Sequence, residues 1–249
     1  MGPMILVVDT MSLVYRAHYT ARPALQGFAT QVRSLCAEFD VSDTFFAVDL
    51  PQRTFRHELS AGYKKRRRRT PDELATQFQR LDECLSELGG TKVAVAGFEA
   101  DDVIATLCAR LRRQGQAGVV ATCDLDLVAM AYGGIEVVRM GQHKIGGERF
   151  DEAAVTRRFG VPPQLYAEFR AFKGDRSDGV PGVPGLHPRD AARVVREWGS
   201  AEAVLANLPK VKPPMLRRLL QDNAQRIRDN HALLSLREDV PIELPDQTG

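Results

Sequence analysis

The sequence of 249 residues holds no apolar run near the roughly 18–20 residues that a membrane span needs, and no signal-peptide pattern. A membrane-embedded function is therefore not expected. Its four cysteines, Cys36, Cys84, Cys108 and Cys123, include no C-x-x-C pair. That spacing offers no zinc site, and a disulfide framework is not expected without a secretory signal; free thiols in a reducing cytoplasm are. The five histidines form no H-E-x-x-H pair. Net charge is only +2, which excludes a generic polycation. There is no internal repeat and no low-complexity tract. What remains is an ordinary soluble composition, 44% hydrophobic and 27% charged, and a chain long enough for an α/β core and a smaller appendage.

The fold reading begins at Met4. Met4-Ile-Leu-Val-Val8 is a short apolar, β-branched run ending at Asp9, the pattern of a strand buried on both faces of a parallel sheet. Thr44-Phe-Phe-Ala-Val48 repeats it before Asp49, Lys92-Val-Ala-Val-Ala96 before Gly97-Phe98-Glu99, and Gly118-Val-Val-Ala-Thr122 before Cys123-Asp124. A fifth run, Ile135-Glu-Val-Val138, has no acid at its end. Thr70-Pro71-Asp72-Glu73 has the form of a helix start, and Leu74, Phe78, Leu81, Leu85 and Leu88 continue one apolar stripe to Gly89-Gly90. A second helix is expected from Asp101 to Leu111. Strands alternating with helices predict an α/β class with a mostly parallel central sheet. Beyond about residue 150 the patterns turn helical, over 151–159, 163–172, 188–198, 212–220 and 221–236, interrupted by a glycine- and proline-rich stretch at 174–185. The expected division is an α/β core over 4–156 and an all-helical region over 157–249.

In an open parallel sheet, the carboxyl ends of the strands share the edge where ligands bind. Asp9, Asp49, Glu99 and Asp124 would converge there, an arrangement that is repulsive unless a shared proton or a cation lies between them. Neighbours reinforce the set. Glu99 and Asp102 stand one turn apart with Asp101 at a helix start, where the helix dipole favours carboxylates; Asp126 follows Asp124, and Asp175 and Asp178 stand at i and i+3. Any one such acid is as readily a helix cap or a solvated surface group, but the set as a whole is not. Oxygen donors without histidine or cysteine suit a hard ion, Mg²⁺ or Mn²⁺, in two or more copies, as phosphodiester chemistry uses them.

Lys64, Lys65, Arg66, Arg67, Arg68 and Arg69 are consecutive basic residues between the second and third strands, preceded by Tyr63, which would offer an aromatic face to a base. Such a run is commonly a solvated surface segment, but here it would project over the acidic edge and neutralise phosphates. Gly179-Val-Pro-Gly182-Val-Pro-Gly185 lies between two helices, where close-set glycines let backbone N–H groups approach phosphate; an ordinary loop is the alternative reading.

Taken in order, these residues resemble the bacterial 5′ nuclease family, the 5′–3′ exonuclease domain of DNA polymerase I and its flap-endonuclease relatives. Gly97-Phe-Glu99-Ala-Asp101-Asp102-Val-Ile104 is similar to the family's G-x-E-A-D-D-x-I signature, and Gly174-Asp175-Arg-Ser-Asp178-Gly-Val-Pro-Gly182-Val-Pro-Gly185 to its G-D-x-S-D-N-I-P-G-V-x-G segment. Thr54-Phe-Arg56-His57-Glu58-Leu59 and Tyr63-Lys64-x-x-Arg67 resemble the stretch entering its helical arch, here about 60–88. The likeness runs from about residue 4 to beyond residue 200. It implies that Asp9, Asp49, Glu99, Asp101, Asp102, Asp124, Asp126, Asp175 and Asp178 are metal ligands. It also implies that Lys64 and Arg67, with Asp101 and Asp124, serve catalysis. Arg16, Tyr63, Lys64, Lys65, Arg66, Arg67, Arg68, Gly182, Gly185 and Arg189 would contact DNA. The helical region would be a helix-hairpin-helix-type duplex-binding module with K⁺ on its backbone carbonyls.

Three departures stand out. Cys123-Asp124-Leu125-Asp126 replaces G-D-K-D, losing a glycine and a basic residue while keeping both acids. Leu186-His187-Pro188-Arg189-Asp190 stands where the family has I-G-x-K-T, which bears on the K⁺ site, and Thr10-Met11-Ser12 replaces a serine pair. No polymerase region follows, so the resemblance points to a stand-alone member or an excised domain. The expected activity is metal-dependent 5′–3′ exonuclease and 5′-flap cleavage of DNA by a monomeric, cytoplasmic, nucleoid-associated protein. The alternative is a structure-specific DNA-binding protein with weak or lost catalysis. An aspartyl-phosphatase reading fails because Met11 stands where a second acid would be needed.

Overall fold

The computed structural model describes residues 2–65, 69–141 and 147–244. Chain contacts divide it into two compact units, Met1–Thr54 with Arg69–Asp151 and Arg237–Gly249, and Phe55–Arg68 with Glu152–Leu236.

The first unit is built on the apolar runs. In chain order it begins with β1 (Met4–Asp9), α1 (Thr10–Thr20), α2 (Ala24–Glu38) and β2 (Val41–Ala47). The chain then passes through α3 (Phe55–Leu59), which belongs to the second unit, and returns in α4 (Asp72–Phe78), α5 (Leu81–Glu87) and β3 (Thr91–Val93). It closes with α6 (Ala100–Gln114), β4 (Gly118–Thr122), β5 (Ile135–Arg139) and β6 (Glu148–Phe150). The sheet order is β3-β2-β1-β4-β5-β6, parallel throughout except for β6 against β5. Successive connections run outward in opposite directions from β1 and β4, so the switch point lies between these two strands, where a ligand crevice is expected.

Side chains alternate across the sheet. Leu6, Val8, Val119, Ala121, Val138 and Met140 turn to one face and join Leu13, Val14, Phe28, Val32 and Leu35 of α1 and α2 in one buried cluster. The stripe expected as a single helix over 70–88 is two helices, because Arg80 leaves the helical region at φ −104°, ψ 8°. The bend lets Leu74, Leu81 and Leu85 all reach that cluster. α6 is buried nearly all round. The segment at 237–242 straps it: Thr106 Oγ1 donates to the Arg237 carbonyl at 3.2 Å and accepts from the Val240 N–H at 3.1 Å.

The second unit adds α7 (Glu152–Phe159), α8 (Tyr166–Lys173), the two-residue strands β7 (Gly174–Asp175) and β8 (Val180–Pro181), α9 (Pro188–Trp198), α10 (Ala201–Ala206), α11 (Pro214–Asp222) and α12 (Ala224–Leu234). Two features were not visible in the periodicity. One is α10, started by Ser200 accepting from the Ala203 N–H at 3.1 Å; the other is the β7–β8 ladder inside the glycine–proline stretch. α3 is held by Arg56, which is buried and donates through Nε to the Leu233 carbonyl (2.8 Å) and through Nη2 to the Ser235 carbonyl (2.9 Å). Among the described residues, no helix is long and apolar enough to cross a membrane.

Candidate metal centre

Asp9 is the last residue of β1 and also the cap of α1, its Oδ1 accepting from the Ser12 N–H at 3.3 Å. Its Oδ2 accepts from the Thr122 hydroxyl at 2.6 Å, which ties the ends of β1 and β4 together at the switch point. The Thr122 oxygen in turn accepts from the Asp124 N–H at 2.8 Å, and Asp124 Oδ1 accepts from the Asp126 N–H at 2.8 Å. The Ser12 hydroxyl accepts from the Cys123 N–H at 2.9 Å. Asp49, just past β2, accepts through Oδ1 from the Ala100 N–H at 2.9 Å, at the start of α6. Asp49, Asp101, Asp124 and Asp126 are half-buried, and Asp9 and Glu99 buried. The structure thus brings the strand-end acids of the first unit to one edge, as their positions predicted.

The electrostatics of that edge are unfavourable without a counter-charge. Burial is the main cause that pushes the Asp9 carboxyl up, and the neighbouring charges of Asp124 and Asp49 add to it. The Thr122 and Ser12 hydrogen bonds oppose the shift without cancelling it, and the carboxyl stands at about 6 against an ordinary 3.8. A buried carboxylate facing two further carboxylates, with oxygen the only donor atom offered, fits a hard divalent cation.

Asp102 departs from the expectation of a ligand. It is fully buried, its Oδ2 accepts from the Glu99 N–H at 3.2 Å and its Oδ1 from the Arg237 N–H at 2.9 Å. Those bonds make it the anchor of the α6 start and of the 237–242 strap. The residues at the G-D-K-D departure are packed: the Cys123 thiol donates to the Ser12 carbonyl at 3.7 Å, and burial pushes its ionisation up. Arg16 is half-buried on α1, its Nε donating to the Gly141 carbonyl at 2.8 Å.

In the second unit, Asp175 pairs with the buried Arg170 and with the Ser177 hydroxyl, and accepts from the Ser177 N–H at 2.6 Å. Burial pushes the Asp175 carboxyl up, but the Ser177 hydroxyl, the Arg170 charge and the backbone N–H groups outweigh it and hold it below the ordinary range. Tyr63 corrects a second expectation. Its ring is only 5% exposed, packed with Val180, Leu233 and Leu234, so it presents no open face to a base. Its hydroxyl donates to Asp178 Oδ2 at 3.4 Å. Lys64 holds its ammonium over the Tyr63 ring, 5.2 Å from the centroid, and Lys65 is exposed. Arg66, Arg67 and Arg68 lie outside the described residues.

Gly182 serves the fold before any ligand: a Cβ there would sit 2.0 Å from the Lys173 carbonyl oxygen, and one on Gly174, at φ +72°, 2.2 Å from the Gly182 nitrogen. Gly185, also at positive φ, faces open space, and Arg189 is exposed at the start of α9. His187 takes over the cap of α9, its Nδ1 accepting from the Arg189 N–H at 3.1 Å. The sequence reading missed Thr122 and Arg170. Each carried a signal: a lone hydroxyl ending an apolar strand, and a cation within the apolar run Phe169–Phe172.

Comparison with known proteins agrees with this architecture. Residues 4–160 match the N-terminal resolvase-like domain of 5′-3′ exonucleases, and residues 161–248 the C-terminal SAM fold of the same enzymes. The thermostable DNA polymerase I of Thermus thermophilus is 31% identical over 98% of this chain and 31% of its own length, and the DNA polymerase I of Mycobacterium leprae is 33% identical over 96% and 28%. The chain therefore spans about a third of the length of these relatives. In fold it is similar to the T5 D15 protein co-crystallised with metal ions (TM-score 0.76, 19% identity, 92% of this chain and 88% of that one). The catalytic core of Rad2 in complex with a DNA substrate is similar too (TM-score 0.57, 17% identity, 98% and 82%). With both halves of the 5′-3′ exonuclease matched in order along a sheet edge lined by carboxylates, the chain belongs to the 5′-3′ exonuclease family.

Proposed function

We propose that this protein hydrolyses DNA phosphodiesters near 5′ ends, as a 5′–3′ exonuclease and 5′-flap endonuclease dependent on Mg²⁺ or Mn²⁺. The observation that carries this reading is the sheet edge itself: the buried Asp9 carboxyl, raised to about 6 by burial and then by the charges of Asp124 and Asp49, stands among carboxylates that offer a hard cation only oxygen. Asp9, Asp49, Glu99, Asp101, Asp124, Asp126, Asp175 and Asp178 would hold two or more divalent ions, with Asp102 positioning them. Such ions supply an activated water and charge neutralisation at the leaving oxygen. The chain's own contribution is to orient the phosphate and offset its charge, through Lys64 and Arg67. Arg16, Lys65, Arg66, Arg68, Arg189 and the loop at 182–185 hold the flanking backbone. The domain reading is a nuclease core over 4–156 and a duplex-binding helical region over 157–249, acting as a monomer. Related structures that hold DNA and metal ions support it, as do the retained acids, which argue against a merely binding role.

A labelled 5′-flap duplex incubated with Mg²⁺, Mn²⁺ or EDTA, with product lengths resolved, tests the proposal. Cleavage at the flap junction and from the 5′ end is expected with either ion and none with EDTA. Metal-independent cleavage, or none under any condition, would refute it.

A further inference from the structure

Asp178 is met from one side by the foot of the basic segment. The Tyr63 hydroxyl donates to its Oδ2 at 3.4 Å, and the Lys64 N–H donates to its carbonyl at 3.2 Å. Lys64 takes a positive φ of 50° to make the turn, and a Cβ on the next residue, Gly179, would lie 3.5 Å from the Gly62 carbonyl oxygen. Beneath the contact, Tyr63 packs with Val180, Leu233 and Leu234, and His57 meets its ring edge-on at a centroid distance of 5.7 Å. The ring is thus fixed by packing and cannot swing out to a base without breaking that cluster.

We infer that Tyr63 is a positioning residue: its hydroxyl aims the Asp178 carboxylate, and it couples the foot of the basic segment to that acid. Residues that hydrogen-bond a metal ligand govern its orientation and basicity, and their loss commonly costs tenfold or more in affinity. Because Lys64 follows directly and lies over the same ring, an anion drawn to Lys64 would act on the element that orients Asp178. This inference rests on the proposed reading of Asp178 as a metal ligand.

The test uses Tyr63→Phe, which keeps the ring and removes the hydroxyl, in the whole chain. Mn²⁺ binding to the DNA-free protein, followed by electron paramagnetic resonance, is expected to weaken about tenfold. The Mn²⁺ concentration for half-maximal flap cleavage should rise in parallel, while flap affinity in EDTA stays within about twofold, because the hydroxyl is engaged with the acid. In an Asp178→Asn background, Tyr63→Phe should add nothing, since the interaction has already been removed. Val180→Ala, which loosens the same cluster but spares the hydroxyl, should lower Mn²⁺ affinity less than Tyr63→Phe does.

Unchanged Mn²⁺ affinity in Tyr63→Phe would overturn the inference, and so would an equal loss in Val180→Ala, which would make the role one of packing. Weaker flap binding with normal Mn²⁺ affinity would return Tyr63 to a DNA contact and overturn it as well. Wild-type protein that cuts flaps normally beside an unaffected variant would sink this inference and leave the proposed function standing. Wild-type protein that binds no Mn²⁺ would sink the proposed function with it.

Discussion

Replacing Asp9 with asparagine should stabilise the metal-free protein while abolishing cleavage. In the folded state the carboxyl stands at about 6 instead of 3.8, chiefly from burial and then from Asp124 and Asp49. Each unit corresponds to about 1.4 kcal/mol, so holding Asp9 ionised at neutral pH costs the fold on the order of 3 kcal/mol. Asparagine removes that charge and keeps an acceptor for the Ser12 N–H. Its amide must then donate to Thr122, whose hydroxyl now donates to Asp9 and has to turn, a loss of about 1 kcal/mol. A net gain of about 1–2 kcal/mol is expected at pH 7.5 in EDTA by urea unfolding. The sign follows from linkage. Between pH 3.8 and about 6 the native wild type holds more protons than the unfolded chain, so its stability falls as pH rises through that window, whereas the variant's does not. The gain should therefore shrink at pH 5. Added Mg²⁺ should stabilise the wild type and leave the variant nearly unmoved. A variant less stable than wild type at pH 7.5, or a gain as large at pH 5, would refute the reasoning.

Asp102→Ala should destabilise by about 2–4 kcal/mol in urea unfolding, because the buried Glu99 and Arg237 N–H groups lose their acceptor; a stable variant with impaired Mn²⁺ binding would make Asp102 a ligand after all. Gly182→Ala should cost more than about 3 kcal/mol or prevent folding, since its methyl group would meet the Lys173 carbonyl oxygen at 2.0 Å; wild-type stability would show that the β8 end relaxes freely. The His231–Glu168 contact, 3.1 Å long, raises the histidine above its ordinary 6.5 mainly through the Glu168 hydrogen bond. Burial pushes Glu168 up, but His231 and the Ala201 N–H hold it below 4.5. The histidine's share is complete below pH 6.5 and is lost as pH rises through its folded value; the glutamate's is present above pH 4.5 and is lost as pH falls. His231→Ala should therefore cost most between these limits, about 1 kcal/mol for a pair that solvent partly screens, and least near pH 9; a cost that does not vary with pH would refute the assignment.

The part of this molecule legible in the sequence is the part written in local periodicity. Apolar β-branched runs ending in acids specified four of the parallel strands and the edge they share, because side-chain alternation and crossover connections leave a doubly buried run few other places to lie. The G-x-E-A-D-D and G-D-x-S-D segments carried the family resemblance, and with it the expected chemistry. The roles of individual acids and aromatics were another matter, since they depend on which atoms arrive from distant segments. Asp102 looks no different from Asp101 in sequence; only the Arg237 N–H, brought by a strap from far along the chain, turns it into a buried anchor. Tyr63 beside a basic run reads as a base-stacking ring until Val180, Leu233 and Leu234 close over it. Thr122 reads as a strand end until Asp9 of the neighbouring strand accepts its proton at 2.6 Å. Composition and spacing set which elements form and which charges share an edge, and tertiary packing alone decides which of those charges face solvent, which are gathered against one another, and which are consumed in holding the backbone.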